Sequence, residues 1–319
     1  MDFVLVLASA QPKYYPQKNR LMISFEPNTK SIPELFGLLL DAIAPRPIAF
    51  ASTIDKDGKP NLSPFSFFNV FGANPPILIF SPSLRGKDST SKNTLENVKM
   101  VPEVVINIVN YPMIQQVNLA STEYHKGINE FEKAGFTALA SDLIKPYRVK
   151  ESPVQLECKV INIIETGTGG AAGNLVICEI IKLHYQKEIF DDNGKINLDK
   201  IDLVGRMGRN YYIRAKGDAL FTIEKPQGEH GIGVDSLPLE IKSSKILTGN
   251  DLGILGGMDK LPELREVEAF VKEQTFYVQF KKLQSDKMAF IAEKHKIAHQ
   301  YIEENKAEEA LKILMFNFT

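Results

Sequence analysis

The chain has 319 residues, enough for one large domain or two ordinary ones and for a substantial buried core. Its 44% hydrophobic and 24% charged residues are ordinary for a globular protein. A formal net charge of -1 gives no reason to expect nucleic acid or an anionic membrane surface as a general partner, so any anion site must be local.

Phe3 to Ala10 is a short apolar run ending in Ala8-Ser9-Ala10. It is preceded by Asp2 and has no basic region, so it is read as a poorly ordered extension or the trace of an upstream start codon rather than a secretion signal. No stretch approaches the roughly 18 apolar residues that span a bilayer. Leu21 to Phe221 reads mainly as strands. Pro47 to Ile54 is apolar with Ser and Thr, Asp55 to Lys59 supplies a hairpin turn, and Pro60 to Phe68 continues. Gly58 suits that turn because it takes positive φ without a Cβ clash. Ile77-Leu78-Ile79-Phe80 and Val104 to Val109 are β-branched runs of buried-strand length.

Met113 to Ala120 and Ile128 to Ala134 have helical character, and Val154 to Ile164 and Leu175 to Tyr185 look like paired strands around a glycine-rich loop. Strands with a few inserted helices predict a barrel rather than a βαβ layer. Gly228 to Gly257 reads as irregular. From Leu264, and most clearly from Lys287 to Met315, the chain becomes charged and helical, with Phe290, Ile291, Ile297, Ala298, Tyr301 and Ile302 on an apolar face. Ala307 to Leu311 is similar to part of a tetratricopeptide unit, but one such unit cannot build a solenoid. A helical hairpin packed on the barrel or on a second subunit is expected instead. Cys158 and Cys178 sit in strand-like runs outside any C-x-x-C pair and read as buried, reduced thiols, which fits a cytoplasmic protein.

Two segments carry the chemistry. The first is Pro45-Arg46-Pro47-Ile48-Ala49-Phe50-Ala51-Ser52-Thr53 followed by Asn61-Leu62-Ser63-Pro64-Phe65-Ser66-Phe67-Phe68. The second, Arg85 to Thr94, offers three cations, several hydroxyls and a helix start into Leu95-Glu96-Asn97-Val98. Hydroxyls, cations and amides at a helix terminus can together hold a phosphate, although a capped, solvated loop would have the same composition.

The first segment resembles the flavin reductase-like family, and the resemblance extends over roughly Leu21 to Lys225. It implies a mainly β chain: an FMN-binding split β-barrel with inserted helices and a C-terminal helical extension. The corresponding boundaries are an N-terminal extension over 1–20, the FMN-binding domain over 21–225, and an extension over 226–319 that is irregular and then helical. It also implies a homodimer with FMN near the subunit interface. The physical logic agrees, because an isoalloxazine needs apolar faces and a few fixed polar groups, and Ser, Thr and Asn interleaved with Phe and Pro supply both.

The resemblance assigns Arg46, Pro47, Ser52 and Thr53 of the first strand, and Asn61, Ser63, Ser66 and Phe67 of the second, to the cofactor. Ser66 or Asn61 would meet the ring edge and Phe67 a ring face, with Arg46 at either a pyrimidine carbonyl or the phosphate. Lys87, Asp88, Ser89, Thr90, Lys92 and Asn93 match the family's phosphate pattern, loosened by Ser89 between Asp88 and Thr90. Which hydroxyl among Ser89, Thr90 and Ser91 is the ligand stays open. Glu130 and Phe131 resemble part of a helical insertion near the flavin. Arg206 and Tyr212 resemble a segment that either approaches the flavin or nicotinamide or simply packs.

Three other signals are set aside. Gly167-Thr168-Gly169-Gly170-Ala171-Ala172 has the letters of a dinucleotide fingerprint but leads into a strand, not the helix that motif requires. His295 and His299 at i, i+4 lack the H-E-x-x-H glutamate and read as a surface pair, so no metal is expected. No Ser/His/Asp arrangement can be assembled from spacing. No catalytic side chain is named, since flavin chemistry can run on orientation and electrostatics. Three functions follow: an NAD(P)H-dependent flavin oxidoreductase, acting alone or feeding a partner monooxygenase; an FMN electron-transfer or flavin-carrier protein without direct NAD(P)H use; and, third, a redox-regulated interaction module.

Overall fold

In a computed structural model, residues 21–223 and 231–318 are described, together with the backbone of Leu5 and Val6. The apolar run Phe3 to Ala10 otherwise lies outside the described residues. Leu5–Val6 forms β1, paired antiparallel with β2 (Met22–Ile23). The chain divides into two compact units, residues 27–221 and residues 222–319 together with 1–26. Among the described residues, no helix is long and apolar enough to cross a membrane.

The first unit begins with α1 (Ile32–Ala42), which the strand-based reading did not anticipate. Its start is set by local chemistry: the Glu34 carboxylate accepts from the Ser31 amide and hydroxyl, and Pro33 sits in the first turn. The sheet strands that follow are β3 (Ala49–Ile54), β4 (Pro60–Phe65), β5 (Phe68–Ala73), β6 (Pro76–Phe80) and β7 (Glu103–Ile108). After a minor pair, β8 (Ala138–Leu139) and β9 (Arg148–Val149), come the long strands β10 (Val154–Glu165) and β11 (Asn174–Tyr185). Inserted helices are α2 (Asn93–Met100), α3 (Ile114–Ala120), α4 (Glu130–Ala134) and α5 (Leu198–Ile201), and the ribbon β12 (Val204–Arg206) with β13 (Tyr212–Arg214) ends the unit.

Seven strands form one antiparallel sheet in the order β4-β3-β7-β10-β11-β6-β5. The hairpin β3–β4 turns where expected: Gly58 has φ +81°, and the Asp55 carboxylate accepts from the Asp57 and Lys59 amides at 2.9 Å each. β4 and β5 lie at opposite edges of the sheet yet are joined by Ser66 and Phe67 alone. The sheet must therefore curl until its edges converge there. No ladder joins them, so the sheet stays open rather than closing as a barrel.

Period-two alternation sends Ala49, Ala51 and Phe65 into one core with Leu78, Phe80, Val104 and Ile106. Ile48, Phe50 and Leu62 face a second core built with Val117 of α3 and Phe131 of α4. Cys158 and Cys178 are buried and free, and burial pushes both thiols up.

The second unit is helical: α6 (Leu239–Lys242), α7 (Gly249–Gly256), α8 (Leu264–Glu273), α9 (Tyr277–Leu283), α10 (Lys287–Glu303) and α11 (Ala307–Met315). Two expectations need correction. "Mainly β" describes the sheet unit, but over the chain helix outweighs strand. The segment read as irregular contains α6 and α7, while Gly228 to His230 lies outside the described residues. In α7 the Thr248–Asp251 capping box and the burial of Leu252 and Leu255 outweigh the poor helix propensity of its glycines.

Candidate anion-binding mouth and its aromatic wall

The segment Arg85 to Asn93 folds into a closed loop against the start of α2. Arg85 donates its amide to the Thr90 carbonyl and accepts from the Ser89 amide, both at 2.9 Å, with Ser89 in the left-handed region at φ 59°. The Arg85 guanidinium donates to the Thr90 hydroxyl at 3.1 Å and to the Ser91 carbonyl, and lies 3.6 Å from Glu123. The Thr90 hydroxyl donates to Asp88 at 2.6 Å, and these contacts lower the Asp88 pKa. Thr90 therefore serves the loop itself. The Ser89 and Ser91 hydroxyls make no hydrogen bond among the described residues.

Lys92 occupies the N-cap of α2 with its ammonium 5.5 Å above the Phe65 ring. Burial lowers its pKa, with Glu123 pulling upward and Arg85 adding to the depression. Among the described residues its ammonium has neither a hydrogen bond nor a carboxylate within salt-bridge distance. A desolvated cation at a helix N-terminus, beside free hydroxyls and a second cation, is a fit for an anionic group. Lys87 is exposed at the outer end of the loop, as is Asp88; Asn93 opens the helix, half-buried.

A second wall comes from the glycine-rich β10–β11 connection. Leu84 donates to the Ala172 carbonyl at 2.9 Å and accepts from the Ala171 amide at 3.1 Å. A Cβ on Gly170 would lie 2.9 Å from the Gly86 carbonyl oxygen, so the two loops meet backbone to backbone. The letters that imitate a dinucleotide fingerprint thus act as a buttress for the cationic loop.

The strand residues sort by face. Thr53 and Asn61, opposite each other in register, anchor α2: Asn97 donates to the Thr53 hydroxyl at 3.1 Å, and Asn61 donates to the Thr94 hydroxyl at 2.9 Å. Ser63 and Phe65 continue this face toward Lys92, making Phe65 the ring beneath the cation. Phe67 instead packs edge-on against Phe36 of α1, centroids 5.9 Å apart. Ser52 is fully buried in alternation with Thr53, and its hydroxyl has no partner among the described residues. It is not brought to the cationic mouth. Phe131 is buried in the second core, and Glu130 accepts from the Leu62 amide at 3.0 Å, capping edge strand β4. Burial raises the Glu130 pKa.

Arg46 spends its guanidinium on the protein. It donates to the Leu40 and Ile43 carbonyls at 2.8 and 2.7 Å, to the Met207 carbonyl at 3.0 Å and to the Ser66 hydroxyl at 3.3 Å. It ties the end of α1 to the strand exchange and orients Ser66; Pro47 follows it into β3. Arg206 pairs with Arg46 along the backbone and stacks on Tyr212 at 4.6 Å.

Two other polar clusters are engaged within the protein. Asp142, Glu157 and His184 converge, but Glu157 already accepts from the Asp142 and Leu143 amides and contacts His184 at 2.8 Å, while Lys182 and Arg148 neutralise Asp142. In the helical unit Ser244 lies 2.8 Å from His295 Nδ1, with Glu240 3.8 Å from Nε2. Ser244 is no nucleophile, because its oxygen accepts the Ile246 and Leu247 amides and is buried. The expected surface pair of histidines is corrected here. His295 is buried, and His299 contacts Asp251 at 3.0 Å, because their helix face turns into the unit's core.

The geometry places a cationic helix start beside an aromatic strand on an open antiparallel sheet. Comparison with known proteins gives the family. A flavin reductase like domain matches residues 42–198. A protein from Aquifex aeolicus is 37% identical over 184 residues, 58% of this chain and 91% of its own length. One from Halalkalibacterium halodurans is 33% identical over 206 residues, 64% and 97% of the two chains. The chain belongs to the flavin reductase-like family. Its fold is similar to nitrilotriacetate monooxygenase component B from Bacillus cereus, with TM-score 0.59, 26% identity and coverage of 63% and 98%. It is also similar to a split barrel protein from Shewanella frigidimarina NCIMB 400, with TM-score 0.53, 25% identity and coverage of 62% and 96%.

Proposed function

We propose that this chain binds FMN and works as an NAD(P)H-dependent flavin oxidoreductase on a split-barrel scaffold. The observation that carries the reading is Lys92, a desolvated cation at the N-cap of α2, unpaired among the described residues, set over Phe65 and flanked by Arg85. Lys92, Ser91 and the first amides of α2 would hold the flavin phosphate, with Arg85 fixing the loop and Lys87 contributing from its exposed edge. Ser63, Phe65 and Ser66 would line the ring, and Thr53 and Asn61 would act through α2. When bound, FMN supplies an acceptor for hydride from reduced nicotinamide. The protein's part is to orient the ring, neutralise the phosphate and exclude water.

A homodimer is part of the proposal. None of the described α1 residues is buried although the helix is rich in Leu, and the edge strand β5 exposes Val70 at 62% and Phe71 at 64%. An uncovered apolar helix next to an open sheet edge is a surface that a second subunit would bury. Likeness to a monooxygenase component supports an oxygenase or electron-transfer partner that takes reduced flavin, and buried reduced thiols suit the cytoplasm.

Anaerobic mixing of the FMN-loaded protein with NADH or NADPH tests the reaction. Rapid bleaching of the flavin absorbance band is expected with one or both. A flavin reduced by dithionite but by neither nucleotide would leave an electron-transfer or carrier protein. Light scattering should give the mass of a dimer; a monomer with FMN bound would remove that part.

A further inference from the structure

A cleft of about 520 Å³ opens between α3 and the β12–β13 ribbon, lined by Tyr111, Gln115, Asn118, Arg206, Tyr212 and Arg214 among others. Its volume is that of a small-ligand site. Two arginine–tyrosine stacks stand in it, and they differ in charge. Arg214 lies 3.8 Å over the Tyr111 ring and donates twice to the Asp202 carboxylate at 2.7 Å, so its charge is spent and the Tyr111 ring is held in place. Arg206 lies 4.6 Å over the Tyr212 ring and donates once, to the Tyr211 carbonyl at 2.9 Å. No carboxylate neutralises it among the described residues.

The Arg206 backbone is also pinned. Its amide donates to the Arg46 carbonyl at 2.8 Å and its carbonyl accepts from the Arg46 amide at 2.9 Å. The buried Arg46 guanidinium, itself bound only to carbonyls and a hydroxyl, adds a second positive charge behind it. The Arg46 pKa is lowered first by burial and then by the charge of Arg206. Gln115 and Asn118, one turn apart on α3, present amides that can both donate and accept at a ring edge.

We propose that this cleft is a binding site for a small planar aromatic ring bearing an anionic group, with the anion on Arg206 and the ring against the two tyrosines. None of the residues lining the cleft belongs to the Arg85 to Asn93 loop, and the proposal does not rest on the flavin reading. A guanidinium that is stacked, tied by one N–H to a carbonyl and uncompensated takes carboxylate or phosphate oxygens in a preferred orientation. Tyr111 and Tyr212 favour a flat partner over a saturated one of equal charge. An aromatic carboxylate and a mononucleotide share this chemistry.

The test is isothermal titration of the full chain, with FMN present at saturation and again without it, using 4-hydroxybenzoate, AMP and cyclohexanecarboxylate. At least one of the first two should bind, and cyclohexanecarboxylate at least tenfold more weakly. Which of the two binds identifies the source of the anion. R206Q and Y212L should each weaken the bound probe at least tenfold, while R206K keeps part of the affinity and FMN uptake stays unchanged. A Gln115→Ala and Asn118→Ala double variant, altered only on the exposed face of α3, should weaken the probe without touching either arginine. Absence of binding by both planar probes at millimolar concentration overturns the proposal. So does equal binding of cyclohexanecarboxylate, or wild-type affinity in a folded R206Q variant. Loss of FMN uptake in R206Q would instead assign Arg206 to the flavin site and also overturn it.

Discussion

Lys92 in the sheet unit and Lys294 in the helical unit are both lysines drawn out of water, and burial lowers the pKa of each. Their surroundings differ. Lys294 is fully enclosed, and its ammonium meets Glu240 at 2.7 Å, donates to the Phe316 carbonyl at 3.0 Å and reaches Asn317 at 3.5 Å. Lys92 has an aromatic face, a like charge nearby and, among the described residues, no anion in contact. A buried cation with a complete set of acceptors belongs to the architecture; one without them is poised for a ligand. The contrast separates a lysine built into the architecture from the one proposed to bind.

The largest expected effect breaks the structural side. Lys294→Ala should lose roughly 3–5 kcal/mol from the helical unit, since it leaves a cavity where a fully enclosed side chain stood and frees the Phe316 to Phe318 segment from its anchor. Urea denaturation followed by far-UV circular dichroism should show this loss, with FMN affinity unaffected. A loss below about 1 kcal/mol would mean the acceptors are worth little.

Acid should act on the same unit. Burial holds the His295 pKa down to about 4, whereas the unfolded chain titrates near 6.5. Unfolding therefore takes up a proton between those values. The stability from keeping His295 neutral is complete above about pH 6.5 and falls by roughly 3 kcal/mol as the pH drops toward 4. A His295→Gln variant should lose most of this slope, measured as melting temperature against pH; an unchanged slope would place the proton uptake elsewhere.

On the binding side the effects are smaller and selective. Lys92→Met should weaken FMN by roughly 1.5–3 kcal/mol, the worth of a charge-assisted contact, and leave riboflavin and folding nearly unchanged. Gly170→Ala should follow at about 1 kcal/mol, because its Cβ pushes on the Gly86 carbonyl and shifts the loop rather than removing a contact. Lys87→Ala should cost less than about 1 kcal/mol, as expected of an exposed cation. A reversed order, with Lys87 above Lys92, would move the phosphate to the outer edge of the loop.

Much of the sheet was legible because its signals are local: the Asp55 to Lys59 turn, the β-branched runs and the two long strands need no partner to be seen. The sheet's curl was not, since it depends on β4 and β5 lying at opposite edges. α1 was missed because its Leu-rich stretch buries nothing within the described residues and so shows no core-facing stripe. Composition pointed to the cationic loop, but ranking its residues required contacts: Thr90 is occupied by Asp88, and Arg85 organises the loop although its role is invisible in the motif. Alternation in β3 could have separated Ser52 from Thr53, since neighbouring side chains on a strand face opposite ways. The buttressing role of Gly170 could not be read locally, because Gly86 lies far away in sequence.

The most direct measurement is the affinity of the unaltered protein for FMN against riboflavin, titrated side by side at moderate ionic strength. The ligands differ only in the phosphate, so their ratio isolates the mouth formed by Lys92, Ser91 and the start of α2. We predict that FMN binds at least about 100-fold more tightly, the equivalent of one or two charge-assisted contacts. Equal affinities would contradict the assignment of that mouth to the phosphate.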